Sequence, residues 1–365
     1  MKNRPLAIVA ALVLCGLGML TLIMIGALNT GLPGLIVGLI LAALPVPFYV
    51  AAALWVDRYE KEPMWMLGAA FLWGATGAVF FSFILNSINS ALFGAIGGQA
   101  AAGIGGPVIS APFVEELAKG IALVLFFFWK KDEFDNVVDG VIYAAMVGLG
   151  FAMTENVSYY GASLQSHALG GTLLVRGILA PFSHPLFTAM TGIGLGLSRE
   201  TLKKPLKMLA PIAGLCLAMG LHATWNLSAS LGAAFLVVYL LIMVPTFLAV
   251  VGLVLYAQGR ERKIIRANLV PYVHSGHLSP AELEALCVFG GRMKALMASG
   301  GMAGWRRTAR FHQAASELAF HRWRTERGIS KGMAEYSTRE AEYLAIIGEC
   351  RAFQAPPSYA GMRPG

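Results

Sequence analysis

The chain has 365 residues, 57% of them hydrophobic and only 13% charged, with a mean hydropathy of +0.65 and a formal net charge of +8. Soluble globular domains carry about 25% charged residues, so the composition excludes one and indicates an integral membrane protein. Residues 1–257 hold 12 Lys and Arg against 11 Asp and Glu, so almost all of the net charge lies in 258–365. Without a recognition motif this argues for cytoplasmic placement or contact with an anionic leaflet, not for nucleic acid.

Apolar runs at about 7–28, 32–56, 64–92, 110–129, 137–159, 173–197, 207–228 and 233–257 each reach the roughly 20 residues that cross a hydrocarbon core. They predict an all-α, polytopic bundle of eight transmembrane helices spanning 1–257, followed by a cytoplasmic helical region over 258–353 and a disordered end at 354–365. The first run, opening Met1-Lys2-Asn3-Arg4, is longer than a signal peptide's apolar core and no small-x-small cleavage site follows it, so it reads as an uncleaved helix. Orientation follows from the positive-inside rule. Arg58 and Lys61, Lys130 and Lys131, then Arg199, Lys203, Lys204 and Lys207 all fall in connections on the side of the N-terminus. The opposite connections, near 29–31, 93–109, 160–172 and 229–232, contain no Lys or Arg, so both termini are expected in the cytoplasm.

The connection at 93–109, rich in Gly and Ala up to Pro107, reads as a flexible external segment or a shallow re-entrant turn. Gly192 and Gly196, four residues apart, suit close helix packing. In the tail, Ser279-Pro280-Ala281-Glu282 and Ser337-Thr338-Arg339-Glu340 have the pattern of capping boxes. Between them the basic, aromatic-bearing stretch 305–327 suits either a membrane surface or packing on a neighbouring helix. None of Cys15, Cys216, Cys287 and Cys350 has metal or redox spacing, so all four read as buried or spectator thiols.

The informative residues are ionisable groups inside the apolar runs. A charge at the bilayer centre costs about 2.5–3.5 kcal/mol on insertion scales, so such groups are rare and usually functional. The fourth run carries Glu115, Glu116 and Lys119, in which either acid can pair with the lysine one turn on. Adjacent carboxylates differ by about 100° in direction, so one can face the bundle interior while the other orients it or pairs with Lys119. The fifth run carries Glu155, with Phe151 one turn earlier on the same face. The sixth carries His184 between Pro181 and Pro185, which weaken the helix and can turn the imidazole inward. The seventh carries His222 and Asn226 on one face. With alternating helix directions, these groups converge in depth towards the outer side. A structural buried ion pair and hydrogen-bonded core histidines are the plain alternatives.

At these positions the chain resembles the PrsW family of bacterial intramembrane proteases, relatives of the CAAX prenyl endopeptidases and of bacteriocin-processing membrane proteins. Glu115-Glu116-x-x-Lys119 is similar to the family's first motif and Phe151-x-x-x-Glu155 to its second. His184 and His222-x-x-x-Asn226 resemble the remaining ones, and Asp57-Arg58-Tyr59-Glu60-Lys61-Glu62-Pro63 resembles a segment common in the family. The resemblance covers roughly 35–257. It implies a hydrolase of the bacterial cell membrane that cuts a membrane-protein substrate, such as an anti-sigma factor, near the outer face.

Two chemistries fit. In a glutamate-type reaction Glu116, supported by Glu155 and tuned by Lys119, deprotonates water while His222 and Asn226 donate to the oxyanion. In a metal-dependent one, Glu155, His184 and His222 form a two-histidine, one-carboxylate site with an open position, as for zinc, and Glu116 remains the base. No His-Glu-x-x-His segment is present. A proton-coupled transporter would use similar residues but spread them across the bilayer within an inverted repeat. A non-catalytic scaffold would use them only to hold helices together.

Overall fold

In the computed structural model the described residues are 4–131, 133–232, 234–326 and 333–352, with side chains at all of these except 4–11 and 333–336. They form helices and short connections, and no strand occurs among them. In chain order the helices are α1 (Arg4–Ile25), α2 (Gly31–Ala43), α3 (Val46–Val56), α4 (Met64–Trp73), α5 (Val79–Ile104), α6 (Ala111–Trp129), α7 (Val137–Gln165) and α8 (Leu169–Thr172). There follow α9 (Ser183–Glu200), α10 (Lys204–Ala229), α11 (Ala234–Val238), α12 (Val244–His274), α13 (Pro280–Cys287), α14 (Gly291–Met297), α15 (Gly301–Glu326) and α16 (Met333–Ala352). Wide-turn π segments join several of them, among them Gly105–Ser110 and Leu173–Leu179.

Among the described residues, six helical stretches are long and apolar enough to cross a membrane: Leu12–Val56, Met64–Trp129, Val137–Gln165, Leu169–Glu200, Lys204–Ala229 and Ala234–His274. The first two, of 45 and 66 residues, are each about twice the length of one crossing. Each contains a glycine in the left-handed region, Gly31 at φ +61° and Gly98 at φ +71°, where a side chain would be strained. Eight segments were expected from the sequence; the described residues show six such stretches, two of them interrupted at these glycines. The connection expected at 93–109 is helical on both sides of Gly98, not a loop. Large apolar side chains such as Phe128, Ile212 and Leu241 point outwards from these helices, a surface suited to lipid and not to water.

The described residues fall into two compact units. The first comprises residues up to Asp57 with Glu62–Val254; the second comprises Arg58–Lys61 with the chain from Leu255 onward. The division lies inside α12, which runs without interruption through the boundary expected at 257/258. Residues 354–365, expected to be disordered, lie outside the described residues.

In the first unit α7 is the central helix and packs along α2, α4 and α9, while α10 lies against α9 and α6. A capping box absent from the sequence expectations starts α7. Asn136 Oδ1 accepts from the backbone of Val138 (2.7 Å) and Asp139 (3.2 Å), and Asp139 Oδ2 accepts from the backbone of Asn136 (3.0 Å). Close approach of α7 and α9 requires glycine: a Cβ on Gly148 would stand 2.7 Å from the nitrogen of Pro185 and 2.8 Å from the carbonyl carbon of His184. The sixth apolar run is broken, not merely kinked. After Leu173–Leu179 the chain turns at Ala180–Phe182, and α9 starts at Ser183. Pro185 is therefore accommodated in the first turn, where its missing N–H costs no helical bond.

The second unit has its own core, including Tyr59, Ile265, Leu269, Leu286, Phe311, Leu318 and Phe320. Arg292 is buried there and donates to Arg58 O (2.7 Å) and Ser316 Oγ (2.6 Å). The capping box at Ser279 and Glu282 forms, with reciprocal bonds of 3.2 and 2.6 Å. The one expected at Ser337 does not, because α16 begins at Met333 and already contains Ser337. Phe311 and Phe320 of the basic stretch are buried in the core, Trp323 packs against it and Trp305 is exposed. Cys287 and Cys350 are buried; Cys15 and Cys216 are exposed, and all four are free thiols.

Candidate active site

The site grows from α6, which begins with Pro112 in its first turn and carries Glu115, Glu116 and Lys119 one turn further in. Lys119 is 0% exposed. Its ammonium donates to Glu116 Oε1 (2.8 Å), meets His184 Nδ1 (3.0 Å), stands 3.6 Å from Glu115 Oε2 and lies 3.9 Å over the ring of Phe151. A buried ammonium in lipid needs such compensation on every side.

The two adjacent glutamates have different surroundings. Glu116 Oε1 also takes His222 Nδ1 (2.9 Å), and its Oε2 accepts from Thr188 Oγ1 (3.2 Å), so both oxygens are committed. Glu115 Oε1 accepts from Asn86 Nδ2 (3.3 Å). Asn86 in turn accepts from Ser110 Oγ (2.9 Å), which accepts from Asn89 Nδ2 (2.8 Å). Glu115 Oε2 is buried without a hydrogen-bond partner among the described residues and lies 3.8 Å from His222 Nε2.

Acceptor-only carboxylates assign the imidazole protons. His222 carries its proton on Nδ1, towards Glu116, which leaves Nε2 as a lone pair on the Glu115 side. His184 Nε2 donates to Glu155 Oε2 (2.8 Å), which leaves Nδ1 to accept from Lys119. The two rings are 5.2 Å apart and nearly perpendicular, with Phe187 stacked on His222 at 5.0 Å. The same Glu155 oxygen is paired with Arg176, which also donates to Asn156 Oδ1 (2.6 Å) and lies 3.7 Å over the ring of Tyr159. A cavity of about 1230 Å³ opens beside these groups; Glu115, Glu155, Arg176 and Asn226 line it, and Glu116 does not.

Residues 62–250 match the family model described as PrsW family intramembrane metalloprotease, which is more than half of the chain. The chain belongs to the PrsW family. It is 34% identical to Protease PrsW of Geobacillus kaustophilus over 148 residues, covering 40% of this chain and 60% of that protein. With Protease PrsW of Bacillus subtilis it shares 29% identity over 151 residues, 40% of this chain and 62% of that one. The chain thus spans about three-fifths of the length of these PrsW relatives. No solved structure matches.

Of the residues expected from the PrsW motifs, Glu115, Glu116, Lys119, His184, His222 and Glu155 form one connected network. Asn226 stands apart: its amide donates to Pro107 O (2.8 Å) on the cavity wall. The geometry bears on two of the expected roles. The carboxylate grouped with the two imidazoles is Glu115, whose ligand atom lies within 4.8 Å of theirs, and not Glu155, which Arg176 and His184 already engage. Both oxygens of Glu116, expected to be the base, are hydrogen-bonded, whereas Glu115 Oε2 has no hydrogen-bond partner among the described residues and only the longer ion-pair contacts to Lys119 and His222. Two buried imidazoles and an orphaned carboxylate oxygen form a donor set that fits a divalent transition ion such as zinc. Lys119 is the group with which such an ion must contend.

Arg176, Asn86 and Thr188 were not singled out from the sequence. Arg176 had a signal: it is the one arginine inside any of the apolar runs, subject to the same insertion cost as Glu155. Asn86 and Thr188 are polar residues in apolar stretches without a distinguishing pattern, and only the fold brings them to the glutamates.

Proposed function

We propose that this chain is an intramembrane endopeptidase that hydrolyses a peptide bond of a membrane-protein substrate near the extracytoplasmic side of a bacterial cell membrane, with both its termini cytoplasmic. A regulatory protein such as an anti-sigma factor is the substrate type that the family resemblance suggests. The observation that carries the reading is Oε2 of Glu115, buried without a hydrogen-bond partner among the described residues and grouped with His184 and His222, in a residue that also lines a large cavity. Buried polar atoms are almost always satisfied, and one left without a hydrogen bond is positioned for a ligand or for water.

Glu115, His184 and His222 would hold a zinc-type ion, in keeping with the metalloprotease description of the family. Such an ion, when bound, supplies Lewis acidity and lowers the pKa of water. The rest falls to the protein. Glu116 holds His222 with its Nε2 lone pair presented, the carboxylate–histidine arrangement usual behind metal ligands. Asn86 turns Glu115 so that Oε2 faces the imidazoles. Asn226, lining the cavity, is a neutral donor for the scissile carbonyl. The aromatic rings of Phe151 and Phe187 pack against His184 and His222 and give the imidazoles an apolar backing.

A metal-independent reaction is the second reading, favoured by the Lys119 ammonium already lying 3.0 Å from His184 Nδ1 and 3.6 Å from Glu115 Oε2. There Glu115 Oε2 takes the proton of the attacking water directly. Both readings are tested with wild type and Glu115→Gln expressed at equal levels. Zinc content of the purified proteins and the new protein termini in each membrane proteome are the measurements. Cleavage with stoichiometric zinc, both lost in Glu115→Gln, supports the metal reading; cleavage without zinc supports the direct one. Identical termini in the two strains reject the peptidase.

A further inference from the structure

We infer that Arg176 is a positioning residue for this site: by holding the Glu155 carboxylate in place, it fixes His184 in the Nε2–H tautomer and so keeps Nδ1 as its acceptor lone pair. The inference rests on the proposed function for its consequence in catalysis, but not for its geometry. Arg176 lies on the π segment Leu173–Leu179, and all three of its partners lie on α7: Glu155, Asn156 and Tyr159. The guanidinium is planar with donors in a fixed fork, so a bond to Asn156 at one edge and the Tyr159 ring beneath leave it a single orientation. In that orientation Nη2 meets Glu155 Oε2, the same oxygen that faces His184 Nε2 at 2.8 Å.

The consequence is one of proton placement. A carboxylate held ionised by an arginine can only accept, so His184 donates from Nε2. Its other nitrogen is then deprotonated, as either a metal or the Lys119 ammonium requires. Without Arg176, Glu155 is a carboxylate on a cavity wall with one partner fewer. It can turn towards water, and His184 then loses the constraint that selects its tautomer. Lysine cannot reproduce the hold, because an ammonium has neither the fork nor the flat face that lies on Tyr159.

The experiment uses the full chain in detergent micelles with ¹⁵N-labelled histidine. The variants are Arg176→Ala and Arg176→Lys, with His184→Gln to assign the His184 signals. Imidazole ¹⁵N shifts report the tautomer directly. Zn²⁺ affinity is measured by competition with a chromophoric chelator. Wild type is expected to show His184 as a single Nε2–H tautomer. Arg176→Ala is expected to show a mixture and to bind Zn²⁺ about 10–100-fold more weakly, the usual cost of losing a residue behind a ligand. Arg176→Lys should recover only part of this, and added guanidinium should restore the tautomer in Arg176→Ala. A wild-type tautomer and wild-type Zn²⁺ affinity in Arg176→Ala overturn the inference. So does a loss that guanidinium does not rescue and that only follows a lowered melting temperature, which marks a plain clamp between α7 and the segment. A wild type that shows the expected tautomer but neither binds Zn²⁺ nor cleaves rejects the proposed function while the tautomer comparison still decides the role of Arg176.

Discussion

Replacing Lys119 with methionine tests whether the ammonium and a metal ion serve the same carboxylates. The side chain is 0% exposed, and Nζ lies 2.8 Å from Glu116 Oε1 and 3.6 Å from Glu115 Oε2. At an effective dielectric constant of about 20, those separations correspond to attractions of about 6 and 5 kcal/mol before desolvation is counted. Desolvation offsets most of this, and removal of one partner from a buried ion set typically costs about 3–5 kcal/mol because a charge is left uncompensated. Methionine has a similar length and fills the space over Phe151, so the loss is electrostatic and not a cavity effect. The full chain in micelles with EDTA should melt on the order of 10 °C lower for Lys119→Met. A cation that binds the folded site alone adds about 2.7 kcal/mol at a hundredfold excess over its dissociation constant. Zn²⁺ should therefore raise the melting temperature of Lys119→Met by more than that of wild type, since the variant holds no competing ammonium at His184 Nδ1. Equal melting in EDTA would refute the buried-pair reasoning, and equal zinc shifts would refute the competition.

The two glutamates should also separate. Glu115→Gln is expected to lower cleavage by at least about a thousandfold with loss of Zn²⁺ binding, whereas Glu116→Gln, which keeps an acceptor for His222 Nδ1, should retain measurable activity; the reverse order would return Glu116 to the central role. Gly148→Ala places a Cβ 2.7 Å from Pro185 N and 2.8 Å from the His184 carbonyl, so overpacking should cost about 1–3 kcal/mol and weaken Zn²⁺ binding as His184 shifts. Unchanged melting and affinity would show that this contact does not set the position of His184. In the second unit, burial and then Arg292 and Lys61 push His312 down to about 3. Its stabilising effect is present above the unfolded value of about 6.5 and is lost as pH falls towards the folded one. Limited proteolysis of the tail should accelerate between pH 7 and pH 5 in wild type and change less in His312→Gln; the same acceleration in both would exclude His312 as the cause. For orientation, a single cysteine at Ser230 should react with an impermeant maleimide added to intact cells and one at Lys203 should not; the opposite pattern inverts the topology.

Much of this was legible because membrane insertion penalises charge so heavily. An ionisable residue in an apolar run is conspicuous without any structure, and Glu115, Glu116, Lys119, Glu155, His184 and His222 prove to be one hydrogen-bonded network. Which carboxylate faces which imidazole was not legible. The choice depends on the rotation of α6 about its axis, fixed by contacts such as Trp73 Nε1 to Ala118 O at 2.8 Å. Arg176 escaped notice because the sixth run was read as one helix. The break at Ala180 separates Arg176 from His184 in the chain, while α7 reunites them through Glu155. The Ser337 box failed for a different reason: a four-residue pattern signals a helix start only where the preceding residues leave the helix, and here they do not.

Consecutive glutamates are needed because a single carboxylate cannot meet both demands of the site. Deep in the bundle, something must neutralise Lys119 and hold His222 in one tautomer; that needs an acid with all its lone pairs engaged, and Glu116 has Lys119, His222 and Thr188 as partners. Towards the cavity, something must offer an oxygen that no donor holds by a hydrogen bond, and among the described residues Glu115 does. Helical geometry turns neighbouring side chains about 100° apart, so adjacent positions reach the two environments from a single buried turn. The fixed charges follow the same logic. Counted formally, the three carboxylates Glu115, Glu116 and Glu155 outnumber the two basic groups Lys119 and Arg176 by one. That formal excess attracts a further cation to the only acid oxygen of the set that is buried without a hydrogen-bond partner among the described residues, which is Glu115 Oε2. Glu155→Gln removes this excess while its amide oxygen can still accept from His184 Nε2, so it should lower Zn²⁺ affinity although Glu155 is not in the donor set; an affinity that rises would mean that Glu155 and Arg176 act on the site only as a neutral pair.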